Sequence, residues 1–325
     1  MKPKVLVFGL GGTIAMTSEA GGGLRPTLKA SDILARGADM NDVAQIAFEE
    51  VSAVPSVELA LADIAALADQ IRSAVAAGVD GVVVVQGTDS LEDTAFALDL
   101  FLDGATPVVV TGAMRGAGAT GADGPSNLAA AIRVAASSAV RGMGVLAVIN
   151  DEIHAARFVE KRHTSSIAAF RSPGAGVLGR VSEGRVRMLL KPADAAPTLR
   201  WGEAAPQVVV IPVAAGAGPE IIEVMSTLNL GGAVVAGLGA GHAPGSWAEP
   251  LMRLAEKIPV VLSSRTGAGD VLTRTYGYAG GEIDLLGRGL VASGSLGPGK
   301  ARILLTVLLS VGADRDAIRA AFDAW

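Results

Sequence analysis

The sequence predicts an α/β protein with a larger N-terminal domain, built on a mainly parallel sheet flanked by helices, and a smaller C-terminal α/β domain. Three observations support this fold class. Short apolar runs alternate with helical stretches, half of the residues are apolar, and only 4% are aromatic. A core of Val, Leu and Ala is typical of buried parallel strands covered by helices. The alternation of strand and helix indicates right-handed crossovers.

The first half of the chain contains four predicted strands with helical stretches between them. Each strand is a short apolar run that is followed by polar or glycine residues, which mark its end. The predicted strands are residues 5–8, 81–85, 107–111 and 144–149, and the predicted helices are residues 61–77, 91–102 and 126–138. This order predicts a parallel sheet.

A change in composition separates the two predicted domains. Pro192, Pro197 and Pro206 lie among Ala and Asp residues, which is typical of a linker. We expect an N-terminal catalytic domain at residues 1–190, a linker at 191–206 and a C-terminal α/β domain at 207–325. In the second domain we expect strands at residues 208–213, 233–238 and 260–263, and a last helix that starts at residues 303–309.

The composition argues against several kinds of function. The net charge is −5 and no run of Lys or Arg stands out, so nucleic-acid binding is not expected. The absence of Cys excludes a disulfide framework and a thiol nucleophile. The three histidines show no metal-ligand spacing, so no metal site is expected.

No segment reaches the ~18 unbroken apolar residues of a membrane-spanning helix, so no membrane association is expected. The apolar run near the start is too short for a secretory signal and leads straight into the first predicted strand. A cytoplasmic location follows as the expectation, with a mature protein whose signal was removed as the alternative.

Polar residues follow the predicted strands at their carboxyl ends. Gly12 and Thr13 come after the first strand, and Gly87, Thr88 and Asp89 come after the second. Binding sites form at this edge of parallel sheets. Turn formation explains any one of these strand ends, but two Gly-Thr pairs at neighbouring ends favour a site.

A hydroxyl nucleophile at this edge needs a base, because its own proton is retained at pH 7. No Gly-x-Ser-x-Gly elbow follows a strand, and histidines are few. A lysine base is the other option, provided that burial or nearby charge lowers its pKa. Lys161 lies just past the fourth strand and beside Arg162, although a solvated surface lysine is the simpler explanation.

Simpler structural roles also exist for the other polar residues. Thr13 and Thr88 could cap helices, Asp89 could form a turn, and Ser56 could cap the helix that begins near Leu61. Residues 9–13 also suggest a dinucleotide-binding loop. Its glycine pattern fails at Ile14 and no helix follows, so a nucleotide-dependent enzyme is disfavoured.

Residues 14–30 differ from the rest of the first domain. They have no apolar period and contain three consecutive glycines at positions 21–23. A glycine hinge beside a pocket is typical of a lid, and an ordinary long connection is the alternative.

Several blocks of the chain together resemble the bacterial L-asparaginase and glutaminase family. They occur in the family's order and span nearly the whole chain, which makes chance agreement implausible. The blocks are residues 11–15 (GGTIA), 86–95 (QGTDSLEDTA), 112–115 (GAMR), 122–128 (ADGPSNL), 263–269 (SSRTGAG), 291–294 (VASG) and 300–302 (KAR).

The resemblance implies hydrolysis of L-asparagine to L-aspartate and ammonia through an acyl-enzyme, without a metal or cofactor. Thr13 matches the nucleophile of that family, and Thr88, Asp89 and Lys161 match its proton-transfer network. The matched substrate-binding positions are Ser56, Val57, Gly87, Asp89, Ala113, His242 and Glu282. The resemblance also implies a homodimer or homotetramer in which subunits share sites through His242 and Glu282.

Three departures from the family pattern concern substrate recognition and activation of Thr13. The lid has no Tyr, so water, Thr17, Tyr276 or Tyr278 could take its place. Val57 stands where a Gln is common, and His242 stands where an Asn is common. Glutamine, a D-amino acid amide or a modified amide are therefore alternative substrates. A non-catalytic ligand-binding protein of the same fold is the alternative of another class.

Overall fold

A computed structural model of the protein describes residues 1–12, 14, 16–18, 24–26, 29–35, 37, 40–192, 197–203 and 206–325, without the side chains of 16–18 and 24–26. The chain divides into two compact units, Met1–Thr198 and Leu199–Trp325. The predicted nucleophile Thr13, the glycines of the predicted lid and part of the predicted linker lie outside the described residues.

The first unit contains an eight-stranded sheet. Its strands are ordered β12-β11-β8-β7-β6-β5-β1-β4 across the described residues. They are β1 (Lys4–Gly9), β4 (Gln45–Glu50), β5 (Gly81–Val85), β6 (Val108–Thr111), β7 (Val145–Ile149), β8 (Glu152–Ala155), β11 (Gly179–Ser182) and β12 (Arg185–Met188). Five neighbouring strands of this sheet, β4, β1, β5, β6 and β7, run parallel. Strands β8, β11 and β12 form an antiparallel extension beside β7.

Among the described residues, the first unit also contains two short hairpins and four α-helices. The hairpins are β2 (Met16–Ser18) with β3 (Leu24–Pro26), and β9 (Glu160–Lys161) with β10 (Phe170–Arg171). The helices are α1 (Ala30–Ala35), α2 (Leu61–Ala76), α3 (Leu91–Phe101) and α4 (Gly124–Ala135). Helices α4 and α1 share one core with Val83 and Val85, and α3 packs on β6, β7 and α2.

Burial explains why the central strands are apolar throughout. Every residue of β5 and of β7 is buried, so both faces of these strands need cover. The strand ends at which polar residues follow therefore lie at the edge of a rigid core, where loops can hold side chains in place.

The second unit has a four-stranded parallel sheet in the order β13-β14-β15-β16. Its strands are β13 (Val208–Pro212), β14 (Gly232–Gly237), β15 (Val260–Ser264) and β16 (Val291–Ala292). Its helices are α5 (Glu220–Met225), α6 (Gly245–Lys257), α7 (Glu282–Gly287), α8 (Pro298–Ser310) and α9 (Arg315–Phe322). Helix α8 packs on three of the strands, and Trp247 of α6 is fully buried in the core.

The predicted fold class is confirmed, and two helix predictions need correction. The helix expected to start at residues 303–309 begins earlier, at Pro298, and is not the last, because α9 follows it. Proline is well suited to the first turn, where its missing N–H costs nothing. The helix predicted at residues 126–138 covers Gly124–Ala135 and is followed by a 3₁₀ turn at Ser138–Val140. The domain boundaries at residues 190 and 206 stay a prediction.

Candidate active site

Two glycine loops meet at the carboxyl ends of β1 and β5. These strands pair in parallel, with Gly9 opposite Val85, so the loops after them leave the same edge of the sheet. Gly12 has a φ of +89°, and a Cβ added to it would lie 2.0 Å from the backbone nitrogen of Gly87. Only glycine permits both the positive φ and this approach. The residue before the predicted nucleophile therefore lies against the second glycine loop.

Three of the predicted catalytic side chains contact one another in the first unit. The Lys161 Nζ atom lies 2.9 Å from Thr88 Oγ1 and 2.6 Å from Asp89 Oδ1. Thr88 is buried and the Lys161 side chain is only 16% exposed, whereas the Asp89 side chain is 66% exposed. The ammonium group thus joins a buried hydroxyl to a carboxylate that faces solvent.

Lys161 reaches this position from the antiparallel side of the unit. It lies in β9, which pairs with β10, and its backbone N–H donates to the carboxylate of Glu92 in the first turn of α3. The neighbouring guanidinium of Arg162 is hydrogen bonded to Glu160. An open cavity of about 550 Å³ adjoins Asp89 and Lys161. Its lining residues are Asp89, Lys161, Arg162, His163 and Thr164.

Ser56 also lies against the second glycine loop, at Gly87. A Cβ added to Gly87 would be 2.7 Å from Ser56 Oγ, and the Ser56 side chain is buried. The hydroxyl of Ser90 donates to the Ser56 carbonyl over 2.6 Å. The next residue, Val57, is 66% exposed. The structure therefore brings Ser56 and Gly87 together and leaves the Val57 side chain on the surface.

Ala113 follows β6 and is held by a buried polar network. The Asn127 side chain donates to the carbonyl of Gly112 over 2.9 Å and accepts the N–H of Asn150 over 2.9 Å. Asp123 accepts the backbone N–H groups of the two residues after Ala113. Ala113 itself has no exposed surface. Asp123 and Asn127 belong to the block at residues 122–128, but no role was predicted for them from the sequence. Two polar residues at the start of a helix are the feature that could have indicated one.

His242 and Glu282 contact each other in the second unit. The distance from His242 Nε2 to Glu282 Oε2 is 3.2 Å, and Tyr278 Oη lies 2.9 Å from His242 Nδ1. Glu282 Oε1 accepts the backbone N–H groups of Thr275 and Tyr276 over 2.8 and 2.7 Å. Burial works to raise the pKa of Glu282, but the backbone hydrogen bonds from Tyr276 and Thr275 outweigh it and hold the pKa below its usual value.

Two of the simpler structural roles are wrong. Thr88 does not cap a helix, because α3 begins at Leu91 and the residue before it is Ser90. Ser56 does not cap α2, whose preceding residue is Ala60; there the Asp63 carboxylate accepts the Ala60 N–H over 2.9 Å. Ser56 instead opens a 3₁₀ turn at Ser56–Glu58.

The part of the chain that the structure describes contains neither a candidate metal site nor a candidate membrane span. No group of three His, Asp or Glu side chains there could hold a metal ion. Within the same residues, no helix has the length and apolar character needed to cross a bilayer.

Comparison with known proteins supports a family assignment over almost the whole chain. Residues 4–194 match the family described as "Asparaginase, N-terminal", and residues 207–322 match the "Glutaminase/Asparaginase C-terminal domain". The chain belongs to the asparaginase family. The predicted family is confirmed, and with it the prediction of a hydrolase that acts on carbon–nitrogen bonds of linear amides.

Individual relatives align with this chain over almost their full length. A probable L-asparaginase of Deinococcus radiodurans is 38% identical over 98% of this chain and 97% of its own. A probable periplasmic L-asparaginase of Haemophilus influenzae is 32% identical, over 99% and 93%. The crystal structure of a probable cytoplasmic L-asparaginase from Campylobacter jejuni covers 99% of both chains at 30% identity, with a TM-score of 0.88.

Proposed function

We propose that this member of the asparaginase family hydrolyses the side-chain amide of L-asparagine to L-aspartate and ammonia. The observation that carries the proposal is the contact of Lys161 with both Thr88 and Asp89, at the strand end that lies against Gly12. Binding alone does not need an ammonium group held between a buried hydroxyl and a carboxylate. The full-length relatives named L-asparaginase support the choice of substrate.

In the proposed reaction, the hydroxyl of Thr13 attacks the amide carbon and its proton passes to the network of Thr88, Lys161 and Asp89. The network returns a proton to the leaving nitrogen, so that ammonia departs and an acyl-enzyme ester forms. Water then attacks the ester, and the proton of the water restores the Thr13 hydroxyl. Backbone N–H groups at Gly87 and Thr88 are the proposed donors to the oxyanion.

Substrate recognition is proposed to use the buried hydroxyl of Ser56 for the α-carboxylate, beside Gly87, and the carboxylate of Asp89 for the α-ammonium group. The exposure of Asp89 suits a ligand that arrives from solvent. Ala113 is proposed as part of the pocket wall. His242 and Glu282 are proposed to complete a site of a neighbouring subunit in a homodimer or homotetramer, and gel filtration at monomer size would contradict this assembly.

Glutamine is the second candidate substrate. The exposed Val57 follows Ser56 at a position where Gln is common. Unlike Gln, the Val57 side chain cannot hydrogen bond to the α-ammonium group of the substrate. Loss of one charged hydrogen bond, worth about 1.5–3 kcal/mol, weakens binding roughly 10- to 100-fold. Without that hydrogen bond, the other contacts of the pocket decide which amide binds best. D-amino acid amides and modified amides therefore need to be tested as well.

Ammonia release from L-asparagine, L-glutamine and their D-forms tests the proposal. We expect the highest kcat/KM with L-asparagine and no detectable release by Thr13→Ala. The matched control is Thr198→Ala, an exposed threonine at the end of the first unit, which should retain full activity. If the protein releases ammonia from none of the four while binding L-aspartate, it is instead a binding protein of the same fold.

A cytoplasmic location is also proposed. The similar protein from Campylobacter jejuni is called a probable cytoplasmic L-asparaginase, whereas the Haemophilus relative is called periplasmic. Fractionation of cells that produce the protein, with a cytoplasmic and a periplasmic marker enzyme, separates these two locations.

A further inference from the structure

The backbone and the side chain of Lys161 both contact one short segment of the first unit. The Lys161 N–H donates to the carboxylate of Glu92, while Nζ lies 2.9 Å from Thr88 Oγ1 and 2.6 Å from Asp89 Oδ1. Thr88 and Asp89 come shortly before α3, and Glu92 lies in its first turn. We call residues 88–92 the lysine-binding turn. The lysine is therefore held to this turn both by its main chain and by its ammonium group.

The lysine-binding turn is anchored in the core of the first unit. Leu91, within the turn, has no exposed surface, and every residue from Thr94 to Phe101 of the same helix is buried. The Ser90 hydroxyl donates to the carbonyl of Ser56 over 2.6 Å. Side chains in a close-packed interior have little room to shift. The backbone of the lysine-binding turn is therefore held in one arrangement.

The hairpin that carries Lys161 directs its N–H away from the partner strand. The N–H of the next residue, Arg162, donates to the Ala169 carbonyl over 2.7 Å. Hydrogen-bonded pairs alternate along an antiparallel ladder, so the Lys161 N–H points away from β10. The carboxylate of Glu92 accepts it. The pairing of β9 with β10 and the contact with Glu92 thus use different N–H groups and do not depend on the same bond.

A carboxylate suits the position of Glu92 for two reasons. Negative charge in the first turn of a helix is favoured by the partial positive charge of the helix N-terminus. A hydrogen bond to an ionised acceptor is also shorter and stronger than one to a neutral group. Without Glu92, the partly buried N–H of Lys161 would lose this acceptor. Glu92 therefore gives the main chain of Lys161 a firm attachment to α3.

We propose that Glu92 is a positioning residue, which sets where the ammonium group of Lys161 lies relative to Thr88 and Asp89. Its carboxylate fixes the main chain of the lysine, and the lysine side chain spans the remaining distance to the buried hydroxyl. In this role Glu92 touches neither the substrate nor the reacting atoms and acts through Lys161. The proposal rests on the proposed function, in which Lys161 takes part in proton transfer.

Steady-state kinetics of Glu92→Ala and Glu92→Gln on L-asparagine test the proposal. A displacement of about 1 Å can lower a rate about 100-fold, so we expect Glu92→Ala to lower kcat about 10- to 100-fold. KM should change by less than about threefold, because the proposed substrate contacts, Ser56 and Asp89, are unchanged. The amide oxygen of Gln can accept the same N–H, so Glu92→Gln should keep kcat within about threefold of the parent.

Asp314→Ala is the matched control. The Asp314 carboxylate also accepts a backbone N–H at the start of a helix, from Ala317 over 2.8 Å, but α9 belongs to the second unit. Loss of such a cap affects stability, and we expect kcat within about twofold of the parent. An unchanged kcat in Glu92→Ala overturns the proposal. Equal losses in Glu92→Ala and Glu92→Gln also overturn it, because they would assign the effect to the charge of Glu92 and not to its hydrogen bond.

Hydrogen exchange at the Lys161 amide gives a readout that does not depend on activity. In the sequence only two lysines follow a Glu, Lys161 and Lys257. Labelling with ¹³C-carbonyl Glu and ¹⁵N Lys therefore isolates two amide signals, and Lys257→Met removes the second. One Arg follows a Lys, Arg162, so ¹³C-carbonyl Lys with ¹⁵N Arg isolates its amide. Exchange can thus be followed separately at two neighbouring amides of the hairpin.

The two amides should respond differently to Glu92→Ala. We expect exchange to accelerate at least about tenfold at Lys161, which loses its acceptor, and less than about threefold at Arg162, which keeps its bond to Ala169. Unchanged exchange at Lys161 overturns the proposal. Equal acceleration at both amides also overturns it, since the substitution would then have loosened the hairpin as a whole.

Combined variants separate the positioning role from the proposed function. If Glu92 acts through Lys161, Glu92→Ala with Lys161→Met lowers kcat no further than Lys161→Met alone. If Thr13→Ala abolishes turnover and Glu92→Ala does not reduce it, the positioning role fails while the proposed function stands. A parent protein that hydrolyses no amide removes the proposed function and the positioning role together, even where exchange at Lys161 is as expected.

Discussion

A Cβ added to Gly12 would lie 2.0 Å from the backbone nitrogen of Gly87, so the two glycine loops of the first unit touch through their backbones. Gly12→Ala should therefore push the Thr88 strand end away from the loop that leads to Thr13. We expect kcat/KM for L-asparagine to fall at least 100-fold, since a displacement of about 1 Å can cost that much.

Gly78→Ala is the matched control for this change. Gly78 also has a positive φ, +92°, but nothing lies within 4 Å of the added Cβ. Both variants should lose about 1–3 kcal/mol of stability from backbone strain, as measured by urea unfolding, and only Gly12→Ala should lose activity. Equal activity in the two variants would contradict the importance of the loop contact.

Lys161→Met should lower kcat by about 100- to 10,000-fold, because it removes the group that links Thr88 to Asp89. The long apolar side chain of Met fills a similar volume, so circular dichroism should show an unchanged fold. Lys257→Met, at an exposed lysine of the second unit, is the control. A Lys161→Met enzyme with more than a tenth of the parental kcat would exclude Lys161 from proton transfer.

Asn127→Leu should destabilise the first unit by about 2–4 kcal/mol. Its amide satisfies the Gly112 carbonyl and the Asn150 N–H, which would be left without their partner in a buried place. The expected fall in melting temperature is about 5–10 °C by calorimetry. Asn229→Leu, at an exposed asparagine, should change it by less than 2 °C.

The lowered pKa of His154 predicts that the folded protein loses stability in mild acid. Burial, together with the charge of Arg171, lowers its pKa from 6.5 to about 4, so the folded protein resists a proton that the unfolded chain accepts. The neutral His154 contributes about 3 kcal/mol to the free energy of unfolding. This contribution is complete above pH 6.5 and is lost as the pH falls from 6.5 to 4. Urea unfolding at several pH values measures it.

His154→Gln should flatten this part of the stability profile, whereas His163→Gln should not, because His163 is exposed. The buried ring of His154 is hydrogen bonded through Nδ1 to Ser172 over 2.9 Å. Its Nε2 atom has no hydrogen-bond partner within the described residues and lies 3.8 Å from Glu152 Oε2. A profile that is equally steep with and without His154 would assign the acid sensitivity to another group.

The parallel core could be predicted from the sequence because its signals are local. Residues 81–85 are predicted and observed as the same strand, since a run of Val after Gly needs no long-range information. The polar strand ends predicted Thr88 and Asp89 for the same reason. Strand β4, at the edge of the sheet, was missed because its exposed face gives it a mixed composition.

Pairing between distant segments could not be predicted from local pattern. The sequence around Lys161 is typical of a charged residue on the surface. Its side chain reaches Thr88 because β9 pairs with β10 and because the carboxylate of Glu92 accepts the Lys161 backbone N–H. The contact of Tyr278 with His242 joins positions 36 residues apart, and no local period indicates it. The resemblance supplied Lys161 and His242, whereas Tyr278 was one of several candidates to replace the missing lid Tyr.

The hydrogen bond between Lys161 and Thr88 joins residues 73 positions apart and links the β9–β10 hairpin to the parallel strands. Contacts of such long range form late in folding, because the loop between them must close first. Recovery of turnover during refolding should therefore lag behind recovery of helix and strand signals. The first release of ammonia would then mark the moment at which the β9–β10 hairpin docks onto a core that is already assembled.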